Sequence, residues 1–444
     1  MIDWYVLLFI AFTLVILLID KIGRYRSVHE YTNPGKEVGL GGGTYSLVIQ
    51  YMTGATVLFP FILTVKGGLS SFFIFTVSSL ILYLLLRKWI FSEEKMDVIL
   101  HDQFHSPSKI NTAVFLIFGF SSIGSILIQT SLIIILFRDF FHQSSYLAVF
   151  LFLIFSYVLF GLGGKMGVTR VGSLILIGVL FTISFTVLTL YLRTGTEAVY
   201  QRFMTNFQGI FSGSILENGS YFLTFLFVMA GQTFTSLYFW ESVNTIKPNH
   251  RLSALRYSSF SWTALLLSYT ALTMYLLSQT QTSASKQLLE SMIQSNTIIA
   301  HIFIYTGISM LAVGTGHSLY SIVSLFLNIL PARHTEESSS YHNLKTGYFY
   351  GMFMIVLHGL SGVLLAGSLE TWLPYFMAFF ASASIPFFYI FLKGQFSLKH
   401  FSLTVGLMSI AGIVINLTVT DLYMVVPVTV ALTFVLHTLV TKFI

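Results

Sequence analysis

Two stretches of this chain set polar and helix-breaking residues inside runs that are otherwise apolar. In QYMTGATVLFPFILTVKGG, residues 50 to 68, Gly54 and Pro60 stand in one run with Thr53 and Thr56. In YFLTFLFVMAGQTFTSLYFWES, residues 221 to 242, the interruption is Gly231, Gln232, Thr233, Thr235 and Ser236. Proline removes a helix hydrogen bond and crowds the preceding turn, while glycine accepts the irregular dihedrals beside it. A helix interrupted in this way frees backbone carbonyl and amide groups, and in lipid such groups are tolerated only against protein or a wet cavity. The chemistry on offer is therefore non-covalent: hydrogen bonds to a solute, or carbonyl oxygens for a cation.

Other chemistry has little to work with. The sequence has no HExxH, no GxSxG and no P-loop pattern, and hydrolytic mechanisms need clustered His, Asp or Glu. No catalytic residue is assigned, and an enzyme is not expected. With no cysteine there are no disulfides, thiolate metal sites or cysteine nucleophiles. The acidic residues fall in loops or near the ends of apolar runs, with Asp3, Asp20, Glu241, Glu370 and Asp421 closest to a run, so no carboxylate is expected at membrane depth. His301, His317 and His358 lie within apolar runs and could relay protons or simply pack through hydrogen bonds. The glycines of GLGGG, residues 39 to 43, lack the preceding strand and lysine of a phosphate loop and are expected as a flexible approach to the next run.

The elements that would carry these residues follow from hydropathy. Hydrophobic residues make up 55% of the 444, charged ones 9%, and the mean hydropathy is +0.81. Apolar runs of membrane-crossing length recur from end to end, which predicts an all-α polytopic membrane protein of about thirteen helices. The predicted spans are 3 to 20, 43 to 65, 70 to 87, 110 to 137, 144 to 163, 171 to 192, 219 to 240, 259 to 279, 296 to 328, 347 to 366, 372 to 392, 401 to 416 and 423 to 441. An N-terminus outside and a C-terminus in the cytoplasm leave only Lys66, Arg138, Arg193, Arg202 and Lys286 of the 23 Lys and Arg on outer loops. The formal charge of +6 then faces anionic lipid, with no nucleic-acid partner.

The two interrupted runs are the second and seventh, and each opens a set of five. Helix breaks in corresponding places of two halves mark the central site of an inverted-repeat transporter. This divides the chain into 1–42, a leading helix and inner loop; 43–192, a first five-helix repeat; 193–218, an outer loop; 219–392, a second, inverted repeat; and 393–444, two closing helices. The segment 87 to 109 is expected as an amphipathic interfacial helix, 193 to 218 and 280 to 295 as cover segments, and 334 to 343 as a flexible inner loop.

Several motifs, in order along nearly the whole chain, resemble the sodium:solute symporter family. They are YMTG at 51 to 54, GGLSS at 67 to 71, FGLGGKMGVTRVGS at 160 to 173, the GQTFTSLYFWES run with its following basic loop and Ser-Trp, and MLAVGTGHSLYSIVSLFLNIL at 310 to 330. The resemblance implies a LeuT-type five-plus-five fold with one helix in front. It also implies a sodium-coupled symporter that moves a small organic solute by alternating access across a bacterial plasma membrane. Its sodium site would comprise carbonyls of Ile49, Met52 and Leu311 with the hydroxyl of Thr315, the second hydroxyl position being Gly314. Its solute contacts would be Thr53, Gly54, Ala55, Phe225, Met229, Gln232 and Thr233. The family's acidic positions are Tyr51, Arg170 and His317 here, which leaves a proton on His317 open as the coupling ion. A sensor that keeps the transporter fold is the competing function. No cofactor other than the cation is implied, and the partners are the solute, the coupling cation and the bilayer.

Overall fold

In the computed structural model the described residues are 25, 27–32, 37–90, 109–137, 145–206, 214–279, 297–329, 337–365, 369–393, 403–407 and 422–443. The predicted spans at 3 to 20 and most of 401 to 416 lie outside them, as do most of the interfacial segment at 87 to 109 and the cover segment at 280 to 295. Fifteen named helices run in chain order: α1 Val28–Thr32, α2 Leu40–Ile49, α3 Gly54–Gly67, α4 Ser70–Ile90, α5 Lys109–Ile135, α6 Ser145–Ser156, α7 Gly164–Thr194, α8 Thr196–Asn206, α9 Ile215–Phe234, α10 Leu237–Thr245, α11 Pro248–Gln279, α12 Thr297–Ile329, α13 Glu337–Leu365, α14 Leu369–Lys393 and α15 Leu422–Phe443. A π-helical turn, Tyr157–Gly161, continues α6.

Among the described residues, six helices could cross a membrane by length and composition, or up to eight if each of two bent pairs counts as one span. Those pairs are α2 with α3 and α9 with α10, and each is bent by 64°. The apolar helices make this an integral membrane protein, because such faces lose nothing in lipid and have no other place to be buried.

Both breaks differ in position from their sequence-based placement. Pro60 lies inside continuous α3, and the chain leaves the helix upstream, between Ile49 and Gly54. Gly231, Gln232 and Thr233 still belong to α9, and only Thr235 and Ser236 separate it from α10. Nor are Gly41, Gly42 and Gly43 a flexible approach: they are helical, and a side chain at Gly43 would meet Ile246 at 2.9 Å. The described part of 334 to 343 is likewise helical, as the start of α13.

The broken pairs sit at the centre. α2 and α3 both pack on α11, while α9 packs on α14 and α5 on α12. Gly231 makes the contact with α14 possible, since a Cβ there would lie 1.7 Å from the backbone oxygen of Phe380. At one face the two short half-helices meet end to end. Val38 N–H donates to the Thr245 carbonyl at 2.8 Å, and Lys247 N–H donates to the Val38 carbonyl at 3.1 Å, a parallel bridge of Val38 with Ile246.

Candidate functional site

At the first break the helix ends in tight turns. Tyr51 N–H donates to the Val48 carbonyl at 2.9 Å and Met52 N–H to the Ile49 carbonyl at 3.0 Å. Thr53 is extended and opens α3 as its N-cap residue, but its hydroxyl makes no cap hydrogen bond. The first amide of α3 is instead capped from another helix, Gly54 N–H donating to Gln129 Oε1 of α5 at 2.8 Å. That bond satisfies one of the donors that every helix start leaves open.

The second break is tied in large part by its own residues. Thr235 N–H and its hydroxyl both donate to the Gly231 carbonyl, at 2.9 and 2.8 Å. The Trp240 indole donates to the Phe234 carbonyl at 2.9 Å, and Ser236 caps α10 by accepting from Phe239 N–H at 3.3 Å. The Gln232 carbonyl is shared with the first break, accepting from Gln50 Nε2 at 3.5 Å. Buried without a hydrogen-bond partner are Gln50 Oε1, Thr53 Oγ1, Thr315 Oγ1 and His317 Nε2.

Thr53, Gln50 and His317 border two neighbouring recesses. A cavity of about 70 Å³ runs along α3, bounded by Thr53, Ala55, Leu58, Phe59 and Ile62, with Ser125 and Gln129 from α5, Val228 and Gln232 from α9, and Met377 and Phe380 from α14. No charged side chain lines it. A narrower polar recess of about 10 Å³ adjoins it through Ser125 and Gln232 and is lined by Gln50, Ser121, His317 and Ser318 among others. A larger cleft of about 380 Å³ elsewhere is lined by apolar side chains and glycines, including Phe120, Ile123 and Phe326, and offers no group to orient a polar solute.

Of the solute contacts expected from sequence, Thr53, Ala55 and Gln232 line the cavity. Phe225 lies one layer behind Phe59, edge-on to it at 5.4 Å and stacked on Trp262 at 5.9 Å. Thr233 donates to the Met229 carbonyl at 2.7 Å within α9, and Trp262 stacks on Tyr51 at 4.3 Å. Gly54 is a contact position, where a Cβ would meet Leu132 at 2.4 Å and Leu311 at 2.7 Å. Sequence reasoning missed Gln129, Gln50 and Ser125. The one available signal was a run of polar residues, SSIGSILIQTS, on an otherwise apolar span.

The residues expected as sodium ligands lie at the first break and on α12. A Cβ built at Gly314 lies 3.0 Å from the Met52 carbonyl oxygen, which brings α12 against the first break. The same point lies 2.9 Å from Gln129 Nε2. The Ile49 side chain packs on Gly172, and the Thr315 hydroxyl is buried without a partner. His317 stands in the polar recess, stacked on Tyr238 at 5.8 Å.

The face of the Val38–Ile246 bridge is closed by a second polar cluster. Glu241, expected at a span boundary, stands half-buried in α10, and its carboxylate accepts from Tyr320 Oη at 2.6 Å and Ser324 Oγ at 2.9 Å. Lys165 Nζ, buried, donates to the Glu241 carbonyl at 2.5 Å. Tyr31 stacks on Tyr320 at 5.5 Å and donates to the Gly161 carbonyl at 2.7 Å. Burial holds the Tyr31 pKa well above the ordinary phenol value, so its hydroxyl stays a donor.

The fold is similar to that of several solved transporters. A Na+-coupled sialic acid symporter, in a substrate-bound outward-open state, superposes with a TM-score of 0.70 at 14% identity, over 99% of this chain and 98% of that one. The Eremococcus coleocola manganese transporter, as its E129Q mutant, gives 0.54 at 12% identity over 91% and 93%. A nucleobase-cation-symport-1 family transporter in a closed conformation with bromovinylhydantoin bound gives 0.51 at 11% identity over 95% and 96%. No family model matches the chain, and no curated protein matches it either. At these identities the likeness is one of fold.

Proposed function

We propose that this chain is a secondary transporter that moves a small uncharged organic solute by alternating access, with the solute held in the cavity beside the two helix breaks. The observation that carries this is the composition of that cavity: an apolar sleeve with Thr53, Ser125, Gln129 and Gln232 at one end and no charge. Most ligand sites combine an apolar wall with a few placed polar groups in this way. Gln50 Oε1, Thr53 Oγ1 and His317 Nε2, all lacking partners, are suited to accept from a solute that carries N–H or O–H groups. An anionic sugar acid would find no cation in this lining. A divalent metal cargo lacks ligands too, since no three His, Asp or Glu side chains converge among the described residues.

Alternating access is supported by the arrangement of the broken pairs. In the first the short half precedes the long one, in the second it follows, and both short halves meet at the Val38–Ile246 face. That is the relation expected of inverted repeats 43–192 and 219–392. By the charge asymmetry of the loops this face is cytoplasmic. The Glu241 cluster is then a closed inner gate, and the cavity extends along α3 on the opposite side of the break.

A library of small neutral amides, polyols and nucleobase-like compounds tests the proposal through thermal stabilisation of the purified chain, because a ligand that binds only the folded state raises the unfolding midpoint. Hits are then assayed for uptake into proteoliposomes. Gln232→Ala and Thr53→Val should each weaken a true hit by roughly tenfold, the worth of one hydrogen bond of about 1.4 kcal/mol. Hits indifferent to both substitutions would remove the solute from this cavity. Binding that responds to both without net uptake would make the chain a sensor.

A further inference from the structure

The polar recess beside the solute cavity is lined wholly by polar residues, none of them charged, and its volume of about 10 Å³ is room for one water-sized body. Its serine hydrogens are largely spent on helix carbonyls: Ser122 donates to Phe118 at 3.0 Å, Ser318 to Gly314 at 2.9 Å and Ser321 to His317 at 2.8 Å. A serine held in this way keeps lone pairs and has no proton to give. Gln50 is fixed in the same sense, since its Nε2 donates to the Gln232 carbonyl at 3.5 Å and its Oε1 is left without a partner. With its proton assigned to Nδ1, 3.5 Å from Ser318 Oγ, His317 presents unpartnered Nε2 as an acceptor too. Gln50 and His317 are 1% and 5% exposed. Thr53, the other residue with an unpartnered oxygen at the first break, lines the solute cavity instead.

Two helix ends meet the same space. Gln50 is the C-cap of α2, and Gln232 and Ser236 lie on either side of Thr235, the C-cap of α9. A helix C-terminus carries roughly half a negative elementary charge. The helix starts that would oppose it are capped, α10 by Ser236 on Phe239 N–H at 3.3 Å and α3 by Gln129 on Gly54 N–H at 2.8 Å. We infer that the polar recess binds a small alkali cation, held by Gln50 Oε1 and serine oxygens of α5 and α12 between the C-terminal ends of α2 and α9. An acceptor-lined space between two such ends favours a positive guest over a neutral one. This is a different place from the sodium site that family resemblance implies. That set, the carbonyls of Ile49, Met52 and Leu311 with Thr315, has Gly314 at its second hydroxyl position, and none of its members lines the recess. Ser125 and Gln232 border both the recess and the solute cavity, so the cation lies beside the solute, as coupling between them requires.

As a coupling site the recess rests on the transporter reading, but the test measures ion binding alone, so failed uptake and failed ion binding are separate results. Thermal unfolding of the full-length chain in detergent is compared in sodium, potassium and choline chloride at one pH and equal ionic strength. Sodium or potassium should raise the midpoint by a few degrees over choline, which is too large for the recess, and the rise should grow with concentration as mass action requires. Gln50→Met, which keeps the length of the side chain and loses its oxygen, and Ser318→Ala should each weaken the apparent ion affinity roughly tenfold. Thr315→Ala should leave it unchanged. Comparing salts within each variant cancels any general loss of stability. Equal midpoints in the three salts overturn the inference and leave the recess to water. So does a rise that neither Gln50→Met nor Ser318→Ala weakens; if Thr315→Ala abolishes that rise, the ion lies at the helix-break carbonyls. If Gln50→Met does not fold, Ser122→Ala, which removes an oxygen bonded within its own helix, is read with Ser318→Ala by the same criterion.

Discussion

Gln129 and Glu241 mark the two ends of what single residues do in this molecule. Each is a polar group in a place where water does not reach freely, and each is held by partners from other helices. The Glu241 carboxylate takes hydrogen bonds from Tyr320 and Ser324 of α12, so it ties the second broken span to the helix that packs against the first. A hydrogen bond to a charged group contributes about 1.5–3 kcal/mol, and Tyr320→Phe should shift the closed face toward opening by at least tenfold. The chain has no native cysteine, so a single Ser46→Cys, at a site 3% exposed behind that face, reports the opening by its rate of alkylation. Faster alkylation in the Tyr320→Phe background is the expected result. An unchanged rate would mean that the cluster is passive packing.

Among the elements, the contact of α9 with α14 is the least forgiving. The backbone oxygen of Phe380 lies 1.7 Å, and its carbonyl carbon 2.4 Å, from where a Cβ on Gly231 would sit. Backbone cannot swing aside as a side chain tip can, so Gly231→Ala has to push the helices apart. Overpacking of this kind costs about 1–3 kcal/mol and sometimes more. Gly231→Ala should therefore lower the unfolding midpoint by several degrees, and it should also weaken solute binding, because Gln232 and Phe380 line the same cavity. The comparison is Gly119→Ala on α5, where nothing lies within 4 Å of the added carbon and where little change is expected. Equal midpoints for the two variants would contradict the close contact. The breaks themselves follow the same logic of partners. Pro60 removes a hydrogen bond but stays helical, while the chain opens at Gln50 to Thr53, where Gln129 waits to cap the next amide.

On the scale of the whole molecule, the two broken spans and the bridge that joins their short halves define one closed face. Val38 and Ile246 are paired in a parallel bridge, close enough for a disulfide between engineered cysteines, which needs a Cα separation of roughly 4.4–6.8 Å. In the proposed cycle this face must part to release solute. Oxidising Val38→Cys/Ile246→Cys should therefore stop uptake, and reduction should restore it, while either single variant is unaffected by oxidant. Uptake that survives full cross-linking would mean that the short halves do not separate during transport.

Hydropathy alone determined that the chain is an all-α membrane protein, because apolar length is a local quantity and each run declares itself. Order along the chain also showed that the second and seventh runs are interrupted, since Gly, Pro, Thr and Gln stand out in an apolar run whatever surrounds it. Where each interruption falls was decided by tertiary structure. A helix in an apolar setting opens where another helix offers hydrogen-bond partners to the freed groups, and the partner of Gly54 is 75 residues away in sequence. The same holds for the cavity lining, of which Thr53, Ala55 and Gln232 were foreseen and Gln129 and Ser125 were not. A polar residue on a long apolar helix reads alike whether it faces a neighbour, a cavity or the lipid, until packing fixes its direction. The setting of half-buried Glu241 is a further case. Its place just past an apolar run suggested a boundary, and what the sequence could not show is that α12 brings Tyr320 and Ser324 to its carboxylate there.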